Sequence, residues 1–249
     1  MKLALIIAGV FGLLAAALLL PSPDLTGSAR PVRGGAQPAP APASSGTGTS
    51  DERDLFPPEN LVLLEVQDRA IWQQPDLIMD ELQMADGSDV ADIGAGSGWF
   101  TIRLARRVGP NGRVYAQDLQ PEMVTAIRRR VEREGLTNVT VIRGQEGSPN
   151  LPQQALDAVL VVDVYHEIPA AGRVSFLQDL ASALRPKGRI GIVDYKPGAG
   201  GPGAEADRRV DSATVERDAG LAELDVLSRK ELRYQYLIVL ARRDQDAAR

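Results

Sequence analysis

The sequence predicts an α/β fold: a doubly wound, seven-stranded sheet that is mostly parallel, with one antiparallel late strand. Three observations predict it. From about residue 90 onward, short β-type runs alternate with helical patterns, the signature of βαβ units. A glycine-punctuated turn, Gly94, Gly96 and Gly98, separates the first such run from the first helical pattern. The last two β-type runs, residues 224–227 and 236–240, lie too close together for a helical crossover, so one late strand must run against the rest.

Residues 90–93 read as the first strand, and the glycine turn opens a helix through residue 108 that Gly109, Pro110, Asn111 and Gly112 stop. The second strand, 113–117, ends at Asp118. Pro121 stands in the first turn of the next helix, where its missing N–H costs nothing, and that helix stops before Gly135. Residues 139–143 form the third strand. The run 158–162 is apolar throughout, as a central strand covered on both faces must be, and it ends at Asp163. A helix over 170–184 follows, halted by Pro186 and Gly188, and residues 189–193 make the fifth strand. This order of strands and helices is Rossmann-like.

Composition sets bounds on function. With 44% hydrophobic and 24% charged residues, the chain of 249 has the makings of a proper core. A net charge of −5 provides no overall basic field for a phosphate backbone, so nucleic acid is not expected as a partner. The absence of cysteine excludes disulfides, thiolate metal sites and a cysteine nucleophile, and the single histidine, His166, excludes a multi-histidine metal centre. No metal is expected.

The N-terminal region reads differently. Lys2 precedes an uncharged apolar run over residues 3–20, closed by Pro21 and Pro23, which resembles a secretory signal or an uncleaved anchor. Residues 1–23 are therefore expected to export the protein or hold it in the membrane, with membrane contact through 3–20 if uncleaved. That places the protein in a bacterial cell envelope or periplasm. Residues 24–54, dense in Pro, Ala, Gly and Ser, bury too little apolar surface to offset their ordering entropy and read as a disordered linker. The globular domain is expected over 55–243, with a flexible tail at 244–249. The sequence implies no particular oligomeric state.

The segment Asp92, Ile93, Gly94, Ala95, Gly96, Ser97, Gly98 follows a strand and opens a helix, a context in which backbone and helix N-terminus approach a ligand closely. A dinucleotide fingerprint would need its third glycine at position 99, which is Trp99, so nicotinamide binding, and with it an NAD-dependent oxidoreductase, is the weaker reading. The acidic-x-Gly-x-Gly-x-Gly pattern instead resembles motif I of the class I S-adenosylmethionine-dependent methyltransferases. The resemblance implies S-adenosylmethionine as cofactor, with its methionine end on the loop of Gly94, Ala95, Gly96 and Gly98, and with Asp92 fixing that loop. It implies further that Asp118 accepts hydrogen bonds from both ribose hydroxyls, that Leu119 packs on adenine, and that Glu146 meets the adenine amino group. For Asp118 a helix N-terminal acid is the alternative, and for Glu146 a solvated loop acid.

The resemblance runs from about residue 69 to 240. Arg69, Trp72, Gln73 and Pro75 match the lead-in segment of a subgroup of these enzymes. Val162, Asp163, Val164, Tyr165, His166 and Glu167 match the region after the fourth strand, where Asp163 would face the cofactor. Leu184, Arg185, Pro186, Lys187, Gly188 and Gly191 match the turn into the fifth strand, with Lys187 in place of the usual first glycine. For an N–H or O–H acceptor a base is useful. His166 has the side chain titrating near neutrality, and Glu167 is the reserve; a packing or capping histidine is the alternative. Tyr165, Tyr195 and Lys196 are candidates for the acceptor pocket. Arg128, Arg129, Arg130 and Arg133, interleaved with Glu132 and Glu134, read as a solvated helix face. The resemblance implies a methyltransferase acting on a small-molecule or protein acceptor; the alternative is a cofactor-binding module at the envelope that has lost catalysis.

Overall fold

The computed structural model describes residues 68–145, 147–198 and 200–243. The segments 1–23, 24–54 and 244–249, residues 55–67 and Glu146 lie outside the described residues. Among the described residues, no helix is long and apolar enough to cross a membrane.

Two short helices, α1 (Arg69–Gln73) and α2 (Pro75–Glu81), precede β1 (Asp89–Ile93). There follow α3 (Trp99–Val108), β2 (Arg113–Asp118), α4 (Pro121–Arg133), β3 (Val139–Arg143) and β4 (Leu156–Val162). Two single 3₁₀ turns, Tyr165–Glu167 and Ala170–Gly172, lead into α5 (Arg173–Ala183), and β5 (Leu184–Tyr195), α6 (Ser212–Leu221), β6 (Leu224–Glu231) and β7 (Gln235–Arg242) complete the domain. The sheet has seven strands in the order β3-β2-β1-β4-β5-β7-β6. Strands β1 to β5 pair in parallel, and β7 runs antiparallel to both its neighbours, β5 and β6. It is the one reversed strand, as the short connection requires. The predicted helix over 170–184 is instead a 3₁₀ turn followed by α5, whose first residue, Arg173, donates from Nε to the Ile168 carbonyl at 3.0 Å, and β5 already begins at Leu184, ahead of Pro186 and Gly188.

Side chains alternate between two apolar layers with the strand period of two. In β1, Ala91 and Ile93 join the layer containing Leu177, Leu180 and Val215 from α5 and α6, while Val90 joins the one containing Ile78, Leu104 and Val108 from α2 and α3. In β4, Val159 and Val161 face the first layer and Ala158, Leu160 and Val162 the second. Both faces are covered, which is why the strand is apolar throughout. The order in which the strands are laid down reverses between the parallel neighbours β1 and β4, so a crevice opens at the carboxyl ends of these strands, where doubly wound sheets bind ligands.

The turn between α3 and β2 is tightly packed. A Cβ added at Gly112 would run into the Ser88 carbonyl oxygen and lie 2.8 Å from that of Val108, both backbone atoms that cannot swing aside. Gly112→Ala is expected to lower unfolding stability by about 1–3 kcal/mol, the usual penalty of overpacking. Urea unfolding of the wild type and the variant checks it.

Candidate functional site

The crevice is a cleft of about 1010 Å³, lined by residues from the ends of β1, β2, β4 and β5 and the segments that follow them. Its floor is the glycine turn. Gly94, Gly96 and Gly98 all adopt left-handed φ, at 65°, 55° and 78°. Gly94 has a second constraint, since a Cβ there would overlap Cγ2 of Val164. The turn is pinned to β2: Ala95 N–H donates to the Gln117 carbonyl at 2.9 Å, and Gly96 N–H donates to Asp118 Oδ2 at 2.9 Å. Beneath it, Asp92 is 2% exposed and accepts from Thr101 Oγ1 at 2.6 Å. Burial pushes the Asp92 carboxyl up to about 6 against the pull of that bond and of Arg69.

Asp118 holds its position through backbone donors. Gly96 N–H reaches Oδ2, and Gln120 N–H reaches Oδ1 at 3.0 Å, while burial raises its pKa. A carboxylate has roughly four acceptor sites, so two such bonds leave capacity for a diol. Beside it in the turn, Ser97 Oγ is buried without a hydrogen-bond partner among the described residues. An orphaned hydroxyl, a cradle of glycines and a buried acid at the adjacent strand end fit a ligand carrying an amino-acid tail and a sugar diol.

The opposite wall carries a second group of ionisable residues. Asp163 directly follows β4 with a left-handed φ of 60°, and its carboxyl lies against Arg69. Arg69 Nη2 lies 3.6 Å from Asp163 Oδ2, its Nε donates to Gln73 Oε1 at 2.6 Å, and its guanidinium sits 4.5 Å over the Trp99 ring. Gln73 Nε2 donates to Gln235 Oε1 at 3.0 Å, and Gln235 Nε2 donates in turn to Asp163 Oδ1. Burial pushes Asp163 up to about 7 despite Arg69.

Next to it stands an imidazole–carboxylate pair. His166 Nδ1 lies 2.9 and 3.1 Å from the two oxygens of Asp194, which is fully buried and also accepts from the backbone N–H groups of His166 and Tyr195. Facing a carboxylate, Nδ1 carries the proton, so Nε2 is the acceptor nitrogen of the neutral ring. Burial pulls the His166 pKa down, but the hydrogen bond and charge of Asp194, with Glu167 and Asp163 adding, leave it above its ordinary value. Burial also raises Glu167, to about 7, with the charges of His166 and Arg208 opposing.

Asp92, Gly94, Ala95, Gly96, Asp118, Leu119, Asp163, His166 and Glu167 all line the one cleft. Gly98 does not: it caps the N-terminus of α3, with Ile127 and Arg130 side chains beyond it. Glu146 lies outside the described residues, although Gln145, Gly147 and Ser148 around it line the cleft. Two acceptor-pocket candidates are corrected. Tyr165 is fully buried and donates to Asp218 at 2.9 Å, so it anchors α6 instead of lining the cleft. Lys196 reaches away to the Leu232 carbonyl at 2.7 Å and Glu231 at 3.0 Å. Tyr195 does line the cleft. Roles that sequence reasoning did not assign fall to Gln117, Asp194 and Gln235. For Asp194 there was a usable signal, an acid at the end of the fifth strand; for Gln235 there was none.

Asp92, Asp163 and Glu167 all hold protons in the fold at pH values where the unfolded chain has released them, and His166 holds its proton to higher pH than the unfolded chain does. All four therefore favour the native state at lower pH and withdraw that support as pH rises through their folded values. The melting temperature of the free protein is expected to fall between pH 5 and pH 8. A rise across that range would contradict the assigned shifts.

Comparison with known proteins gives a consistent result. A family profile described as a methyltransferase domain matches residues 90–188, the stretch from β1 to the start of β5. The chain is 32% identical over 151 residues to the protein-L-isoaspartate O-methyltransferase of Methanothrix thermoacetophila, an alignment covering 56% of this chain and 68% of that protein. It is 37% identical over 94 residues to the enzyme of the same name from Methanococcoides burtonii, covering 37% and 46% of the two chains. The chain spans about half the length of several of the curated relatives it matches. Among solved structures, a SAM-dependent methyltransferase from Aquifex aeolicus superposes with a TM-score of 0.70 at 26% identity, over 75% of this chain and 98% of that one.

Proposed function

Since the chain belongs to the S-adenosylmethionine-dependent methyltransferase family, we propose that it moves the methyl group of S-adenosylmethionine to a small-molecule or protein acceptor, with His166 as the base. The observation that carries this reading is the meeting of two assemblies in one cleft: the glycine turn with Asp118, and the His166–Asp194 pair. The bound cofactor supplies an electrophilic methyl on a positively charged sulfur. The chain's own work is to hold, align and exclude water, and orientation alone is worth roughly 7–11 kcal/mol.

Gly94, Ala95 and Gly96 would admit the methionine end, and the Ser97 hydroxyl stands ready to bond to it. Asp118 would hold the ribose, with Leu119 beside the adenine. Asp163, under Arg69, would face the sulfur side. His166 would take the acceptor's proton at Nε2 while Asp194 holds the ring and stabilises the imidazolium that forms. A carboxylate acceptor, the chemistry in the name of the isoaspartate relatives, would need no such base.

Calorimetry with S-adenosylmethionine, S-adenosylhomocysteine and NAD tests the cofactor. Binding of the first two without the third is expected, and binding of NAD alone would overturn the reading. An acceptor screen by mass spectrometry, scoring the gain of one CH₂, tests catalysis and separates an enzyme from a module that only binds. We further place residues 3–20 as an export or anchoring segment, with Lys2 on the cytoplasmic side and the domain outside. Protease accessibility of the domain in intact spheroplasts is expected, and full protection would defeat this placement.

A further inference from the structure

The acceptor half of the cleft carries a charge pattern that bears on what can enter it. Asp163 and Glu167 stand on either side of His166 along the chain, and all three line the same wall, close enough for the imidazole to feel both carboxyls. Among the described residues the lining carries two guanidiniums: Arg69 is paired with Asp163, and Arg208 is near enough for its charge to oppose the upward shift of Glu167. Behind His166 lies the fully buried Asp194. A carboxylate brought to this wall would face three acids and an imidazole already held by one of them. An ammonium would meet an excess of carboxyls, since the described lining holds Asp92, Asp118, Asp163 and Glu167 against Arg69 and Arg208, and its charge would draw Glu167 into the ionised form, in a cleft that the rings of Tyr195 and Phe176 also line.

Resting on the methyl-transfer reading above, we propose that the acceptor is an apolar amine that enters as its ammonium and is held at Glu167. The ammonium gives one proton to His166 Nε2 and becomes a neutral amine. Its nitrogen lone pair then forms the new N–C bond as the S–C bond breaks, with the S–C electron pair staying on sulfur. The product is the methylated ammonium together with S-adenosylhomocysteine, and the proton on His166 leaves to solvent. Atoms and charge balance without any further reactant.

The test compares two probes of the same apolar tail and opposite charge, phenethylamine and 3-phenylpropionate, titrated calorimetrically into the full chain saturated with S-adenosylhomocysteine. The amine is expected to bind at least about tenfold more tightly, a preference of about 1.4 kcal/mol. Glu167→Gln is expected to reduce that preference to within about threefold, or about 0.7 kcal/mol, while its affinity for S-adenosylhomocysteine stays at the wild-type value. Equal or tighter binding of the carboxylate would overturn the proposal and favour the isoaspartate type of acceptor. So would binding of neither probe to a protein that takes up S-adenosylhomocysteine normally, or an amine preference that Glu167→Gln leaves intact. A wild-type chain that does not bind S-adenosylhomocysteine at all would remove the methyltransferase reading itself, and the amine site with it.

Discussion

His166→Ala is expected to lower the rate of methyl transfer by about 10²- to 10⁴-fold, the range of a positioned general base, with cofactor affinity nearly unchanged. The partner variant Asp194→Asn makes the expectation specific. In the wild type, Asp194 holds the imidazole proton on Nδ1 and keeps the His166 pKa above its ordinary value. Turnover that needs the neutral ring must then fall as pH drops through that raised pKa. Asparagine keeps the volume but removes the anion, so the ring loses its proton at lower pH. The acid limb of kcat against pH should therefore move to lower pH even as the plateau falls. A histidine that only packs or caps would respond otherwise: its replacement would shift the melting temperature and leave the position of the limb untouched. An unshifted limb in Asp194→Asn would remove the base role.

The same pair shows what the sequence could and could not reveal. His166 stood out because it is the only histidine and follows a central strand. Asp194 is one acid among many, and only the pairing of β4 with β5, which sets Val162 beside Val193, brings the two strand ends together. Parallel neighbours align their carboxyl ends, so this much follows once the topology is known. Gln235 required more. It reaches Asp163 because β7 turns back antiparallel to β5 and sets Gln235 opposite Tyr195, a consequence of hairpin register with no local residue signal.

Local turn chemistry was the most legible part. The glycine turn, Pro121 at the start of α4 and the stop before Gly135 each answer to a backbone requirement carried by the residue itself. Lys187 is instructive in the opposite sense: it takes a left-handed φ of 68° where the resembling family has glycine, so the backbone requirement persists while its usual residue is gone. Helix α6 left little trace. Of its ten residues, only Val215, Asp218 and Ala219 are buried, too sparse a stripe to mark a face, and one of the three is an acid held by Tyr165. The reversal at the end of the sheet was readable from spacing alone because a connection of a few residues excludes every crossover.

Asp118→Ala is expected to weaken binding of S-adenosylmethionine by at least about 10²-fold while the fold survives. A hydrogen bond to a charged group contributes about 1.5–3 kcal/mol, and two ribose hydroxyls on one carboxylate double that. A second loss follows from the structure, because Asp118 Oδ2 also accepts the Gly96 N–H and so ties the glycine turn to β2. Asp118→Asn separates the two contributions. Its amide oxygen can still take the Gly96 N–H, but the charge and one acceptor edge are gone, so an intermediate loss is expected. If Asp118 served only as an acid near the start of α4, with no ligand, both variants would lower the melting temperature of the free protein and leave cofactor affinity where it was. Calorimetry and a melting curve on the same three proteins distinguish the outcomes: affinity falling in the order wild type, Asn, Ala, with only a small change in melting temperature, requires the carboxylate to face the cofactor.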